Sequence, residues 1–364
     1  MNFLLIVFLS LVSMLPHGQA RLDWMNRAED AELSMVFIGD IMCHDTQYIS
    51  CKTADGYDFS PWFEYMSPLF ESADIAMANL ETTITDDGNY SGYPSFRTPH
   101  TIVYDIKKSG IDILATANNH SLDSGKSGVE FCLDTLRDAG LMHVGTCKEG
   151  EENLPLIIEK NGIKLGIIAS TYGANGLTLP EGKEYMLNLN DSIDLEKNIK
   201  YLKQNKVDGI LYYIHWGNEY QREFSAEQEA LAQKLFESGV NWIIGSHPHV
   251  IQGSQYFEDS NRYVLYSLGN VVSDQTWRYS DTGFAAKLYF KKEGGKELKL
   301  LQAEYHPFWV DKYDEAGRMS YKIIPILESE IPETPRLSAD DRRRMAEALS
   351  DFREFYPSDL NTEE

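Results

Sequence analysis

Short apolar runs alternate with amphipathic segments along most of the chain. The runs lie at 33–39, 73–80, 111–117, 209–214, 240–245 and 263–267, and each has the length typical of a buried strand. Helices are predicted between them at 61–72, 127–139, 194–205 and 225–238. Strands that alternate with helices predict a layered α/β architecture.

The remaining pattern predicts two hairpins and a closing helix. Residues 154–171 turn at Asn161-Gly162, and residues 284–310 turn at Gly294-Gly295. A strand at 321–327 and a charged helix at 339–355 follow. We expect one domain at 33–328 and a charged C-terminal helical tail at 329–364.

Polar side chains follow the predicted strands at the points where the strands end. Such strand ends are where α/β proteins usually keep their sites. Taken singly, each residue also fits a turn, a cap or a hydrogen-bonded loop. Together they form the inventory of a two-metal hydrolytic centre, and mixed nitrogen and oxygen ligands suit Mn, Fe or Zn better than Ca or Mg. The residues are Asp40, Glu81, Asn119, His120, His215, His247 and His249.

The charge balance restricts the partners. The chain has 364 residues, with 33 basic and 56 acidic side chains and a formal net charge of −23. Nucleic acids and anionic membrane surfaces reward basic patches, so neither is expected as a general partner. A small anionic substrate stays open, because metal cations can invert the local field.

Four cysteines give no sign of a zinc–thiolate site, because no two of them have C-x-x-C spacing. Cys43 and Cys51 are close enough in sequence to form a disulfide in an oxidising compartment, and so are Cys132 and Cys147. Buried free thiols are the equal alternative.

The N-terminus has the pattern of a secretory signal. Residues 3–15 form an apolar run, and Gly18-Gln19-Ala20 resembles a cleavage site before Arg21. We therefore expect a signal peptide at 1–20 and a secreted or periplasmic, cell-envelope location. Because no Lys or Arg precedes the run, an uncleaved N-terminal anchor is the alternative.

Eight motifs resemble those of the CapA family, the capsule-synthesis proteins of poly-γ-glutamate systems. They are GDIM at 39–42, NLE at 79–81, YPSFRTP at 93–99, ANNHSLDSG at 117–125, TYGANG at 171–176, HWGNEY at 215–220, GSHPHVIQ at 245–252 and YSLGN at 266–270. The resemblance spans about residues 34–275. It implies a calcineurin-like metallophosphoesterase fold, a four-layer αββα sandwich.

The resemblance also implies roles for residues. The expected metal ligands are Asp40, Glu81, Asn119, His215, His247 and His249. The expected catalytic residues are His120, which would contact the reacting group, and Asp123. The expected substrate contacts are Arg97, Tyr172, Trp216 and Glu219. The alternative for His120 is a structural hydrogen bond that ties its loop to Asp123.

Two positions depart from the superfamily pattern. Met42 occupies the place of the first histidine ligand, for which His44 is a substitute at a different spacing. Glu81 stands where the superfamily has an aspartate. We therefore expect two divalent transition-metal ions or only one.

Two functions remain open. The first is an exported metal-dependent hydrolase or transferase that acts on a phosphoester or a γ-glutamyl, peptide-type bond of a capsule or envelope polymer. The second is a non-catalytic capsule-assembly or polymer-binding subunit that works with other capsule-synthesis proteins. The retained Asn119-His120 pair and the three later histidines favour chemistry, whereas Met42 favours the second function.

Overall fold

The computed structural model describes residues 30–327, 329–333 and 336–356, so the predicted signal peptide lies outside the described residues. In these ranges, the strands are β1 (Ala31–Ile41), β2 (Ile75–Leu80), β3 (Thr83–Thr85), β4 (Arg97–Pro99), β5 (Ile113–Ala115), β6 (Met142–Val144), β7 (Leu156–Lys160), β8 (Ile163–Thr171), β9 (Gly209–His215), β10 (Trp242–Ser246), β11 (Ser254–Phe257), β12 (Arg262–Leu265), β13 (Asn270–Val272), β14 (Thr282–Lys292), β15 (Leu298–Glu315) and β16 (Arg318–Pro325). The α-helices there are α1 (Asp45–Ser50), α2 (Ser60–Phe63), α3 (Ser67–Glu71), α4 (Ile102–Lys108), α5 (Gly125–Asp138), α6 (Leu195–Gln204), α7 (Ala226–Ser238) and α8 (Ala339–Arg353). Among these helices, none combines the length and apolar character needed to cross a bilayer.

The strands form two large mixed sheets. The first has the order β16-β15-β14-β1-β2-β5-β6, and β13 also pairs with β1. The second has the order β11-β12-β10-β9-β8-β7. In each sheet the central strands run parallel, so their carboxyl ends meet at one edge.

Three apolar clusters define the layers. The cluster between the sheets includes Phe37 of β1, Met77 of β2 and Trp242 of β10. A second cluster packs helices such as α5 on the outer face of the first sheet. A third packs α6 and α7 on the outer face of the second sheet. This arrangement of helices, two sheets and helices confirms the predicted αββα sandwich.

One local prediction is wrong, and the cysteines match one of the two alternatives left open. The predicted helix 61–72 is two short helices, α2 and α3, because Pro68 lacks the N–H that a continuous helix requires and its ring clashes with the preceding turn. The cysteines Cys43, Cys51, Cys132 and Cys147 are all buried free thiols, which matches the alternative to the disulfides.

The C-terminal helix α8 packs on the first sheet. Its Met345 and Ala348 are buried against Trp309 and Ile324 of the first sheet. Arg344 of α8 donates two hydrogen bonds to the Asp281 carboxylate, at 2.8 and 2.6 Å. The predicted charged helix at 339–355 therefore forms, at Ala339–Arg353.

Candidate metal centre

The register of the first sheet brings three of its polar residues side by side. Asp40 of β1 lies opposite Asn79 of β2 on one side and opposite Asn270 of β13 on the other. The Asn79 side chain donates a 2.8 Å hydrogen bond to Asp40 Oδ1. Asn118 in turn donates to Asn79 Oδ1 at 3.1 Å, so a chain of amides fixes the Asp40 carboxylate.

The second sheet contributes the histidines. His215 is the last residue of β9 and pairs with Ser246, the last residue of β10. The chain then turns through His247 and His249, whose φ values of 101° and 59° lie in the left-handed region. Such backbone costs about 1–3 kcal/mol in non-glycine residues and persists at sites where the surroundings impose it. The His247 N–H donates to Asp40 Oδ2 at 3.1 Å, which links the two sheets at the centre.

Two groups of metal-ligating atoms lie at this junction, each with its atoms within 4.8 Å of one another. One group is Glu81, His247 and His249, and the other is Asp40, Glu81 and His215. Glu81 belongs to both, which is the arrangement expected of a carboxylate shared by two sites. All five side chains are buried.

Further contacts orient the imidazoles. Nδ1 of His249 lies 2.9 Å from Asn270 Oδ1, so a proton on Nδ1 leaves Nε2 free to bind an ion. Nδ1 of His215 lies 2.9 Å from the Ser246 hydroxyl, and its Nε2 lies 2.8 Å from Asn119 Oδ1. Partners of this kind fix the tautomer and direction of metal-binding histidines.

The charge states suit a cation. Burial lowers the pKa of His215 to about 3, and burial together with the neighbouring imidazoles lowers that of His247 well below its usual value. Neutral imidazole is the form that ligates metals. Burial alone would raise the pKa of Asp40, but His249, His215 and the Asn79 amide lower it overall, which favours the carboxylate.

Glu81 tests whether a metal fits these residues. Both of its carboxylate oxygens are buried without a hydrogen-bond partner among the described residues. Burial, with the charge of Asp40 next, raises its pKa well above the usual value. Nδ1 of His247 is also buried and unpartnered within the same part of the chain. Because buried polar groups normally have partners, these atoms fit an ion that both would contact.

His120 lies beside the centre and is held by Asp123. Its Nδ1 is 2.8 Å from Asp123 Oδ2, and the same oxygen accepts the Phe96 backbone N–H at 2.7 Å. The Phe96 ring packs edge-on against the imidazole at 4.6 Å. Asn119, the preceding residue, contacts His215, so the turn presents an amide and an imidazole to the same volume. This orientation fits a group whose Nε2 faces a reacting atom.

The four predicted substrate contacts divide into two pairs. Tyr172 is 46% exposed, and its ring lies 4.5 Å from that of His247. Glu219 is exposed, and its charge contributes to the raised pKa of Glu81. Arg97, in contrast, is bound to Asp87 at 2.6 Å, and Trp216 is 2% exposed with its N–H donated to the Tyr266 carbonyl. All four stay predicted substrate contacts, but only Tyr172 and Glu219 are exposed beside the centre, whereas the side chains of Arg97 and Trp216 are engaged by Asp87 and Tyr266.

His44, the possible substitute ligand, contacts Gln47 and Phe96 and none of the metal-ligand candidates. It precedes helix α1, its Nδ1 lies 3.0 Å from Gln47 Oε1, and its ring packs edge-on against Phe96. Among the described residues, neither ligand group contains it. Met42 is 2% exposed, in the place where the superfamily resemblance called for histidine.

The residues that orient the centre were missed by the sequence analysis. They are Asn79, Asn118, Ser246 and Asn270, and they contact ligand candidates or one another at 2.8–3.1 Å. A signal was present, since all four adjoin or belong to the motifs NLE, ANNHSLDSG, GSHPHVIQ and YSLGN. The sequence does not show which strands pair. That pairing is what directs the three amides and the Ser246 hydroxyl toward the ligands and away from solvent.

Comparison with known proteins agrees with the sequence motifs. A family model described as bacterial capsule synthesis protein PGA_cap matches residues 34–275, more than half of the chain. The capsule biosynthesis protein CapA of Bacillus anthracis is 27% identical over 283 residues, covering 75% of this chain and 67% of the relative. The PGA biosynthesis protein CapA of Bacillus subtilis strain 168 is 26% identical over 312 residues, covering 83% and 79%.

The fold also has a solved counterpart. The NAD nucleotidase NadN of Haemophilus influenzae superposes with a TM-score of 0.50 at 14% identity, covering 89% of this chain and 63% of that protein. At this level of identity the likeness concerns the fold alone. It supports the metallophosphoesterase-like architecture described above.

Proposed function

This chain belongs to the bacterial capsule synthesis family PGA_cap, and from this premise we propose that it is an exported metal-dependent hydrolase of capsule or cell-envelope polymer metabolism. The bond it cleaves is a phosphoester or a γ-glutamyl, peptide-type bond. Its two curated CapA relatives are named for capsule and PGA biosynthesis, which supports the polymer as the substrate's origin.

The observation that carries the proposal is the Glu81 carboxylate. It is buried, has no hydrogen-bond partner among the described residues and belongs to both ligand groups. A buried carboxylate that lacks a partner is costly, so its position favours a function that supplies a cation. A purely structural role for Glu81 would predict a donor within reach.

The residues of the centre would have separate roles in metal binding and in proton transfer. Asp40, Glu81 and His215 would hold one ion, and Glu81, His247 and His249 a second. Divalent transition ions held there would act as Lewis acids on the scissile group. Asn119, whose Oδ1 lies 2.8 Å from Nε2 of His215, would be a further ligand of the first ion. Asp123 holds His120 so that its imidazole can donate a proton to the leaving group.

A specific observation keeps a non-catalytic function as the second candidate. Met42 cannot replace a histidine ligand, and His44 is engaged by Gln47 and Phe96. A protein with a weakened centre could bind capsule polymer or assemble with other capsule-synthesis proteins without turnover. The names of the relatives fit this role equally well.

Metal analysis of the purified protein tests the centre. We expect one or two transition-metal ions per chain, falling sharply in the His247→Ala, His249→Ala double variant. A His100→Ala, His306→Ala double variant removes two histidines outside both ligand groups and should keep the metal. Equal metal content in both double variants would remove the basis of the site.

A substrate screen separates the two candidate functions. Metal-loaded protein is incubated with phosphomonoesters, phosphodiesters and γ-glutamyl peptides. Turnover that is lost in the His247→Ala, His249→Ala variant supports the hydrolase. Bound metal without turnover on any of these bonds supports the assembly subunit.

Export rests on the apolar run at 3–15 and on Gly18-Gln19-Ala20. N-terminal sequencing of protein from the envelope fraction should begin at Arg21. A sequence that begins at Met1 would instead support an uncleaved anchor.

A further inference from the structure

An arginine and a tryptophan that adjoin in sequence are both exposed near the candidate metal centre. The side chain of Arg278 is 63% exposed, and its Nη2 donates a 3.0 Å hydrogen bond to Asp351 Oδ1 of helix α8. Among the described residues, no hydrogen bond engages the other two guanidinium nitrogens. Trp277 is 65% exposed. We call Trp277 and Arg278 the Trp–Arg pair.

Contacts connect the Trp–Arg pair to the centre. The Trp277 ring lies 6.0 Å from that of Tyr220, which lies 5.9 Å from that of His249. Gln275, two residues before Trp277, accepts a 2.9 Å hydrogen bond from the Asn270 amide. Asn270 Oδ1 lies 2.9 Å from Nδ1 of His249. The loop that carries the pair is therefore fixed to a residue that orients a metal-ligand candidate.

The backbone beside the pair has an unfavourable conformation at two tyrosines. Tyr279 follows Arg278 with a φ of 79°, and Tyr220, which contacts Trp277, has a φ of 63°. Left-handed backbone is costly in non-glycine residues and persists mainly at functional sites, where the surroundings impose it. The guanidinium groups of Arg222 and Arg278 lie 4.2 and 4.8 Å from the centre of the Tyr279 ring. Two cations on one ring hold Tyr279 in place, and with it the residue that precedes it.

The carboxylates near Arg278 are shared with other arginines. Asp351, its own partner, is 8% exposed and also lies 3.7 Å from Nη1 of Arg344. Glu354 binds Arg222 at 2.6 Å. The side chains of Arg222 and Arg344 are only 19% and 22% exposed, so Arg278 is the accessible cation of the three.

Glu219 is an exposed anion at the mouth of the site. Burial, and then the charge of Glu219, raises the pKa of both Tyr172 and Tyr220 to about 12. Cations bound at the centre would offset this charge there. Arg278 supplies a positive charge on the far side of the Tyr220–Trp277 contact, so an anionic group of the substrate is best placed at Arg278.

We propose that the Trp–Arg pair binds a carboxylate-bearing unit of the substrate beside the metal centre. The planar guanidinium fork matches the two oxygens of a carboxylate, and the indole face can cover the apolar stem that carries it. Tryptophan and arginine are also the side chains most enriched at the residues that dominate binding. Because the fork matches phosphate as well, a phosphodiester polymer is the competing ligand. The inference rests on the proposed function in that it assigns specificity-determining residues of the same site.

Calorimetric titration of the metal-loaded, full-length protein tests this assignment. The probes are a γ-linked glutamate tetramer, the same tetramer with each α-carboxylate converted to a carboxamide, and a glycerol phosphodiester tetramer. The glutamate tetramer should bind more tightly than the other two, with an affinity that falls as salt is raised. Arg278→Gln should weaken its binding roughly three- to tenfold and make the salt dependence less steep. Binding of the carboxamide tetramer should change little.

Two further variants separate the roles of the pair. Arg278→Lys keeps the charge without the planar fork, so its affinity for the glutamate tetramer should lie between those of the wild type and Arg278→Gln. Trp277→Ala removes a contact to the apolar stem and should weaken the glutamate and carboxamide tetramers alike.

The control is Arg343→Gln on α8, which removes a 70% exposed arginine that likewise binds one carboxylate at 3.0 Å. It should bind all three probes like the wild type, and circular dichroism and metal content confirm that each variant is folded. The proposal is overturned if Arg278→Gln matches this control or weakens the glutamate and carboxamide tetramers equally. It is also overturned if the phosphodiester tetramer binds as tightly as the glutamate tetramer, or if no probe binds.

The binding assay needs no turnover, so the two proposals fail separately. Binding of the glutamate tetramer that depends on Arg278, without any hydrolysis, would overturn the hydrolase alone. Hydrolysis together with binding that is independent of Arg278 would overturn the carboxylate assignment alone.

Discussion

At the scale of single residues, His120 separates chemistry from binding. Its imidazole is oriented by Asp123, and it follows Asn119 without belonging to either ligand group. We predict that His120→Asn keeps its metal but loses turnover by about 10²- to 10⁴-fold, the range expected for a general acid. The assay is the rate on whichever substrate the screen identifies.

Asp123→Asn provides the matched test of positioning. It removes the charge that holds Nδ1 of His120 while leaving the imidazole in place, so we expect a smaller loss than in His120→Asn. Wild-type turnover in His120→Asn would show that the histidine only ties its loop to Asp123.

A second residue-scale prediction concerns pH and lies away from the centre. Burial, and then the charge of Arg137, lowers the pKa of His143 on β6 to about 4. Between pH 6.5, the usual pKa of histidine, and about pH 4, the unfolded chain therefore binds a proton at His143. The folded protein keeps this imidazole neutral over the same range. Stability from this group is present above pH 6.5 and is lost as the pH falls through that window.

We predict that His143→Gln flattens the fall in melting temperature between about pH 7.5 and 5.5, a range above the isoelectric point of 4.8. His100→Gln removes a partly buried imidazole elsewhere and reports the effect of a histidine substitution as such. An unchanged pH profile in His143→Gln would mean that this imidazole is protonated equally in both states.

At the scale of elements, the approach of β1 to β13 positions the ligands. A Cβ built on Gly39 would lie 1.9 Å from the Gly269 carbonyl oxygen, which accepts the Asp40 N–H. Gly39→Ala must therefore separate Asp40 from the strand that carries Asn270. We predict a loss of about 1–3 kcal/mol or more in unfolding free energy, together with reduced metal content.

Chemical denaturation and metal analysis measure both effects. Gly173→Ala is the control, because a Cβ there meets no atom within 4 Å. Full metal content in Gly39→Ala would show that the pairing of β1 with β13 does not hold the centre together.

The same strands show how much the sequence could predict. Apolar runs ending in polar residues located Asp40, His215 and His247 correctly at strand ends, because the side-chain pattern follows the sheet locally. The supporting amides depend on which strands are neighbours. Asn79 and Asn270 flank Asp40 only because β2 and β13 both pair with β1, and that pairing joins residues far apart in sequence.

At the scale of the whole molecule, long-range packing was the hardest feature to predict. Helix α8 was predicted as a charged terminal helix, without the surface on which it packs. Its few apolar side chains nevertheless complete a cluster with Trp309, Ile324 and Ile326, and Phe352 enters the core between the sheets. Sequence periodicity predicts that a helix has an apolar stripe, but it does not predict which part of the protein that stripe packs against.

This packing predicts that α8 unfolds with the rest of the domain. Met345 is 2% exposed, and Met345→Ala should cost about 2–5 kcal/mol, as buried large-to-small changes do. Met319→Ala removes a 37% exposed methionine on β16 and should change stability little.

Arg344 also binds Asp281 beside β14, so we expect α8 to unfold together with the sheet on which it packs. Met345→Ala should lower the melting temperature in a single transition, seen alike by far-ultraviolet dichroism and by metal release. A separate early loss of helix signal, with metal still bound, would mean that α8 behaves as a detachable tail.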